Sequence, residues 1–344
     1  MTTIREVAKR ADVSAMTVSR VLNNSAHISR KARQRVEAAI AELGYVPNAL
    51  ARSLRFKQTN TLALVLTDIT NLFFTTVARG VEDAASDAGF NVIFCNTDES
   101  EGEQRENLTV LARKQVDGVL LVPARSTPEA LVYLQERHIP VVILDRRIEH
   151  CSADSVRCDS EGGAYRLTRL LLDQGHRRIA ILTGSENVST AVDRVTGYRR
   201  ALDEAGIAVD ESYSIYGEFT QASGEVMARQ ALRLSPPPTA LFAANNFIAI
   251  GAYRALRAGR YQIPEQVSLV GFDDLPPALV MDPFLTGAAQ PAYEMGQKAT
   301  ELLLARLADP APAPPQELSM PTEIIVRQSS GPPVGHSATK PTIV

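Results

Sequence analysis

The sequence predicts a small all-α headpiece joined to a larger α/β body, and three observations carry that prediction. Charge is divided unevenly: residues 1–57 hold 11 Lys and Arg against 4 Asp and Glu, whereas the remaining residues hold 25 against 35. Apolar residues in the first 45 positions recur at helical spacing, in three short runs parted by turn-forming residues. From residue 60 onward, short aliphatic runs alternate with helical stretches, the pattern of parallel sheets covered by helices. At 45% hydrophobic residues and a net charge of −3, the 344-residue chain has the material for real cores and is not globally disordered. No apolar run approaches the ~18–20 residues needed to cross a bilayer. Met1-Thr2-Thr3-Ile4-Arg5-Glu6 lacks the apolar stretch of a signal peptide. Cys95, Cys151 and Cys158 make an odd count without CxxC spacing, so neither a disulfide framework nor a zinc site is indicated. A cytoplasmic setting is expected.

In the headpiece, Ile4, Val7, Ala8 and Ala11 fall at i, i+3, i+4 and i+7 and define a first short helix. Asp12-Val13-Ser14 interrupts it, and Ser14 suits the N-cap of a second helix over 15–23. That helix turns Ala15, Val18 and Leu22 inward and shows Met16, Thr17, Ser19, Arg20 and Asn23 outward. A third helix starts at Ser29, buries Ala32, Val36, Ala39, Ile40 and Leu43, and stops at Gly44. Two short helices joined by a tight turn, the second with a polar outer face, make a helix-turn-helix whose second helix can enter the major groove. The basic balance favours that reading over a three-helix bundle without DNA. Residues 47–55 are helix-compatible but too few to hold a helix in water without partners. Leu54, near their end, is either a wedge for the minor groove or a plain linker residue.

Three motifs carry a family resemblance: Thr3-Ile4-Arg5-Glu6-Val7-Ala8, the run from Val13-Ser14-Ala15-Met16-Thr17 to Asn23, and Tyr45-Val46-Pro47-Asn48 through Leu54. In order and spacing they resemble the headpiece and hinge of the lactose/galactose-repressor (LacI/GalR) family, and the likeness continues to about Ser330. The resemblance implies a DNA-binding headpiece at 1–46, a hinge helix and linker at 47–58, an effector-binding and dimerisation domain at 59–330, and a flexible tail at 331–344. It implies a periplasmic-binding-protein-like body of two Rossmann-like lobes, with the effector cleft between them. Lobe 1 would comprise about 60–158 and 290–319, and lobe 2 about 159–289 and 320–329. DNA contacts would come from Thr3, Ser14, Ala15, Met16, Thr17, Ser19, Arg20, Asn23 and Leu54. The expected partner is a pseudo-palindromic operator in double-stranded DNA, bound by a homodimeric repressor that answers to a small effector.

Within the body, strands are expected at 62–66, 91–95, 118–122, 141–144, 179–182, 240–243 and 268–272. Helices are expected around 73–88, 105–114, 163–172, 194–205 and 248–258. The chain should pass between lobes near 160, 290 and 320, with 309–315 a loop at the last crossing. Ligands of open parallel sheets bind beyond the carboxyl ends of strands. Asp68, Arg125, Asp145-Arg146-Arg147, Asn245-Asn246 and Asp273-Asp274 all follow expected strands, although a strand-end Asp or Asn is equally a helix cap.

The resemblance assigns Asp145, Arg194, Asn245 and Asp273 to positions that grip effector hydroxyls or charges. It assigns Phe219 to a stacking aromatic, Phe73 and Phe74 to the aromatic pair after the first strand, and Gln290 to a lobe crossing. Leu72 in place of Pro, Asn246 in place of Asp, and Gly287-Ala288-Ala289 depart from the family pattern. Asp145, Asn245 and Asp273 suit a polyol. Arg194 and Arg146, with Arg125 and Arg147 nearby, offer more guanidinium than a neutral sugar requires, which favours an anionic carbohydrate such as a sugar acid. A neutral sugar or a purine is the alternative if those arginines pair with internal acids or point to solvent.

No GxxxxGK[ST], no GxGxxG after a strand and no GxSxG is present, and His27, His138, His150, His176 and His336 are scattered without HExxH. No catalytic residue, cofactor or metal site is therefore expected. An enzyme or a solute-binding protein on the same architecture is the rival class. The tail carries no apolar heptad, so dimerisation is expected through the body and a stable tetramer is not.

Overall fold

The computed structural model describes residues 2–22, 28–45, 58–149, 152–274, 284–309 and 314–334. Asn23, Leu54, nearly all of the expected hinge helix and residues 335–344 of the expected tail lie outside them. The chain divides into two compact units, Met1–Thr59 and Asn60–Val344.

The first unit contains α1 (Ile4–Arg10), α2 (Ala15–Leu22) and α3 (Arg30–Leu43). Helix α1 opens on a capping box: Thr3 N donates to Glu6 Oε2 at 2.7 Å, and Glu6 N donates to Thr3 Oγ1 at 3.4 Å. Thr17 N donates to Ser14 Oγ at 3.1 Å, so Ser14 caps α2. Gly44 ends α3 at φ +57, a conformation in which a Cβ would be strained. Val7, Val18 and Val36 form the fully buried centre of this unit. One expectation needs correcting. The residues buried on α2 are Val18 and Val21, while Ala15 and Leu22 sit half-buried at the margin. Helix α2 is packed against both α1 and α3, and a helix wedged between two neighbours buries a wider arc than a single stripe. On α3 only Val36 and Ala39 are fully buried, with Ala32, Ile40 and Leu43 partly so.

The second unit holds two six-stranded sheets. The first is built from β1 (Thr61–Leu66), β2 (Asn91–Asn96), β3 (Gly118–Leu121), β4 (Val141–Leu144), β5 (Asp154–Cys158) and β11 (Glu317–Met320), in the order β11-β5-β4-β3-β1-β2. The second uses β6 (Ile179–Thr183), β7 (Ser214–Tyr216), β8 (Ala240–Ala243), β9 (Ser268–Phe272), β10 (Thr286–Ala289) and β12 (Glu323–Ile325), in the order β12-β10-β9-β8-β6-β7. Neighbouring strands are parallel except β12, which runs antiparallel to β10. The chain therefore leaves the first sheet after β5, returns after β10 to add β11, and passes back for β12.

The helices are α4 (Leu72–Asp87), α5 (Glu101–Lys114), α6 (Glu129–Gln135), α7 (Ser160–Asp173), α8 (Ser189–Glu204), α9 (Gln221–Ala231), α10 (Asn246–Ala258) and α11 (Ala292–Ala308). Central strands such as β1, β3, β6 and β8 are buried along their length, which is why they read as aliphatic runs. Helices α4 and α11 approach backbone to backbone. A Cβ on Gly80 would lie 2.1 Å from Tyr293 O, and one on Gly296 would lie 2.2 Å from Val77 O.

Candidate functional site

The carboxyl ends of the strands in both sheets open onto one cleft of about 330 Å3. All nine residues expected at an effector site stand on its wall: Phe73, Phe74, Asp145, Arg146 and Gln290 with the first sheet and its crossing, and Arg194, Phe219, Asn245 and Asp273 with the second. The strand-end groups are presented by equivalent turns. Asp145 follows β4 at φ +63 and donates its backbone N–H to Val156 O at 2.9 Å. Asp273 follows β9 at φ +72 and donates its backbone N–H to Ala288 O at 3.0 Å. The left-handed backbone at both positions re-aims the side chain off the end of the strand into the cleft.

The two carboxylates differ in what holds them. Gln290 Nε2 donates to Asp273 Oδ1. Asp145 Oδ1 is buried and has no hydrogen-bond partner among the described residues. Burial pushes the Asp145 carboxyl up to about 6, with Asp273 and Glu99 adding to the rise and Arg194 and Arg146 opposing it. Burial also raises Asp273, against the pull of Arg194, Gln290 and the backbone of Asn246.

Arg194, on α8, is 3% exposed. Its Nη1 donates to Ala244 O at 2.6 Å and its guanidinium lies 3.8 Å from the Phe272 ring centroid, while Nε has no partner among the described residues. Arg146 is equally buried: Nη1 donates to Glu99 Oε2 at 2.7 Å and to Pro123 O and Ala124 O, and Nη2 to Glu99 Oε1 at 2.5 Å. Asn245 caps α10 through Ile248 N at 2.8 Å and still faces the cleft, so capping and lining are not exclusive. Phe73 and Phe74 meet edge to face with centroids 5.0 Å apart. Phe219 lies over Gly184, where any Cβ would fall within 2.3 Å of the ring.

Arg125 and Arg147 are not on the wall. Arg125 Nη1 lies 3.6 Å from Glu99 Oε2, and Arg147 Nη1 donates to Asp193 Oδ1 at 2.9 Å. Sequence reasoning did not single out Asn71, Asp98, Glu99, Glu218, Thr220 or Phe247 on the wall. Two of these groups were within reach, because Asp98-Glu99 and Glu218-Phe219 follow β2 and β7 and obey the same strand-end rule. The lobes also touch directly. Asn246 Nδ2 donates to Asn71 Oδ1 at 2.8 Å, Arg147 N to Ser189 Oγ at 2.7 Å, and Ser189 N to Ser126 Oγ at 2.8 Å.

On the first unit, α2 presents Met16, 64% exposed, and Arg20 to solvent, with Ala15, Thr17 and Ser19 half-buried beside them. Thr3 is exposed, its hydroxyl engaged in the α1 cap.

Residues 3–48 match the family of bacterial regulatory proteins described as the lacI family, and residues 168–330 match the periplasmic binding protein-like domain. Over 311 residues the chain is 38% identical to the HTH-type transcriptional repressor PurR of Vibrio atlanticus, covering 90% of this chain and 93% of that one. The chain belongs to the lacI family. This lacI-family regulator is also 36% identical to the ribose operon repressor of Escherichia coli, covering 90% of its own length and 94% of that repressor. The crystal structure of the lac repressor dimer bound to operator and an anti-inducer superposes with a TM-score of 0.84 at 25% identity, over 96% of this chain and 99% of that one. It is thus a DNA-binding transcriptional regulator with a helix-turn-helix headpiece and a two-lobed effector-binding body. Among its described residues no helix is long and apolar enough to cross a membrane.

Proposed function

We propose that this regulator is a dimeric repressor whose cleft takes a neutral polyhydroxylated ligand of the monosaccharide class, and that occupancy changes its affinity for operator DNA. The carrying observation is the pair of buried carboxylates, Asp145 and Asp273, both under the influence of the single Arg194 charge. A hydroxyl donates to a carboxylate and accepts from a guanidinium at the same time, so adjacent hydroxyls satisfy this array. Phe219 and Phe73 supply apolar surface for the carbon face of a sugar.

Much of the guanidinium excess that favoured an acid in the sequence is engaged inside the protein: Arg146 and Arg125 share Glu99, and Arg147 lies on Asp193. That shifts the balance from a sugar acid to a neutral sugar. At the headpiece, Ala15 and Met16 would read thymine methyls, and Arg20 a base edge or phosphate. Thr3, Ser14, Thr17 and Ser19 would fix the register on phosphates, with Asn23 and Leu54 assigned by the resemblance alone. A thermal-shift panel of pentoses and hexoses, aldonic acids and purines tests the reading, because a ligand that binds only the folded state raises its melting temperature. A neutral monosaccharide should stabilise the protein. Stabilisation by a purine or an acid and by no neutral sugar would overturn the proposal.

A further inference from the structure

The strand-end loop after β2 brings a carboxylate to the cleft wall that neither the sequence reading nor the family likeness assigns. Asp98 and Glu99 adopt successive left-handed conformations, at φ +47 and +58, where non-glycine residues are uncommon. The turn they make carries the Glu99 side chain onto Arg146. Both Glu99 oxygens accept from the Arg146 η nitrogens, at 2.7 and 2.5 Å, while the carbonyls of Pro123 and Ala124 hold Nη1 from the far side. Arg125 adds a second guanidinium at 3.6 Å from the same carboxylate. The guanidinium fork is the side chain best shaped to bind a carboxylate through two parallel hydrogen bonds, whatever molecule the carboxylate belongs to. Here the occupant is built into the chain.

We propose that Glu99 is the specificity residue that excludes anionic ligands: its carboxylate fills the Arg146 fork as a permanent internal ligand, and its removal turns this wall into a carboxylate-binding site. The inference rests on the neutral-ligand reading above. It deepens that reading by assigning the rejection of sugar acids to one residue. With Glu99 in place, a ligand carboxylate finds the fork taken and faces Glu99, Asp145 and Asp273 as like charges. Without it, two guanidinium groups stand over a gap the size of a carboxylate.

The experiment is thermal melting of the full-length wild type, Glu99→Ala and the double variant Glu99→Ala/Arg146→Met. Each is melted in sodium formate, sodium gluconate, a neutral pentose, and sodium chloride at matched ionic strength. Glu99→Ala should melt below wild type in chloride, and formate and gluconate should each raise it by at least about 2 °C over chloride, a readable change for a body of this size. Wild type and the double variant should show no such anion response. If Glu99→Ala does not accumulate as folded protein, Glu99→Gly suits the left-handed backbone at φ +58 and also empties the fork, and formate should stabilise it where wild type shows nothing. A Glu99→Ala or Glu99→Gly variant that responds to anions no more than wild type, or a wild type already stabilised by gluconate, would overturn the assignment. A wild type that no neutral sugar stabilises, together with intact formate rescue of Glu99→Ala, would remove the neutral-ligand reading and leave the role of Glu99 standing.

Discussion

The two lobes of the body are the same scaffold carrying different chemistry. Five strands of each follow one order, β2-β1-β3-β4-β5 in the first and β7-β6-β8-β9-β10 in the second, with the cleft beyond their carboxyl ends. An aspartate in left-handed conformation follows the fourth strand of each, and each donates its backbone N–H to the fifth. A carbonyl just beyond the third strand of each lobe accepts from a buried arginine: Ala124 O from Arg146, and Ala244 O from Arg194. The lobes part where side chains are free to vary. Beyond the second strand, lobe 1 supplies the two acids Asp98 and Glu99, whereas lobe 2 supplies Glu218 and the aromatic Phe219. Asp273 is held by Gln290, whereas Asp145 Oδ1 has no partner among the described residues. Backbone topology places the polar groups, and the residue types beside them decide which group is committed to the protein and which is available to a ligand.

The sixth strands give the largest expected effects. In lobe 1, Asp154 accepts from Arg306 Nε at 2.6 Å and from Gln316 N at 2.8 Å, tying α11 to the start of β11. In lobe 2, Asp274 accepts from Arg327 Nη2 at 2.9 Å, just after β12. The Asp154 side chain, 2% exposed, accepts from Arg306 Nε and Nη2 and from Gln316 N, so Asp154→Ala loses three hydrogen bonds at a buried carboxylate and should cost about 3–5 kcal/mol in denaturant unfolding. The more accessible Asp274→Ala should cost about 1–3 kcal/mol, in line with loss of a charged hydrogen bond. Equal costs would break the comparison.

Next come the two cleft aspartates. Asp145→Asn and Asp273→Asn should each lower neutral-sugar affinity about 10- to 100-fold, measured by calorimetry, from loss of one charged acceptor. Only Asp145→Asn should also raise the melting temperature of the ligand-free protein, because it removes a buried carboxylate with an unpartnered oxygen. Stabilisation by Asp273→Asn of the same size would show the two sites to be equivalent.

Acidity separates the aspartates as well. A ligand hydroxyl donates to the ionised form, so sugar affinity should be full above about pH 6 and fall about tenfold per unit below it, as Asp145 takes up its proton. For the ligand-free fold the same raised carboxyl contributes stability at low pH that is lost as pH rises from 3.8 through about 6. Asp154 has the opposite slope. Burial would raise it, but the hydrogen bonds from Arg306 and Gln316 outweigh burial and leave it below its ordinary value, so its contribution is present at neutral pH and lost on acidification.

The smallest effect belongs to the contact between lobes made by Arg147 and Asp193. Arg147 is 35% exposed, so Arg147→Ala should cost under about 1 kcal/mol and weaken sugar binding only a few-fold, by loosening one contact between the lobes.

What was legible in the sequence follows from the same division. The buried central strands read as aliphatic runs, and of the groups following them Asp68, Asp145, Arg146, Asn245 and Asp273 stand on the cleft wall, whereas Arg125, Arg147, Asn246 and Asp274 do not. β5, β7, β10, β11 and β12 did not read as strands: β7 and β12 are only three residues long, β5 and β11 mix polar with apolar residues, and β10 is built of small ones, Thr286-Gly287-Ala288-Ala289. Val21 escaped because a one-stripe pattern cannot show that α2 is packed on two sides. The charge of the cleft was the least legible feature. Arginines can be counted along a chain, but Arg146 meets a partner 47 positions away, and only the fold shows that the fork is filled.

The central claim is that a neutral sugar held by Asp145 and Asp273 controls DNA binding. Its most direct test is operator binding by the full-length protein, titrated with the stabilising pentose or hexose and with the matching aldonic acid, in wild type and Asp145→Asn. The neutral sugar should shift wild-type operator affinity, the acid should not, and Asp145→Asn should bind operator but respond only at about 10- to 100-fold higher sugar. A wild type that responds to the acid alone, or an Asp145→Asn variant that responds to the sugar as wild type does, would contradict the central claim.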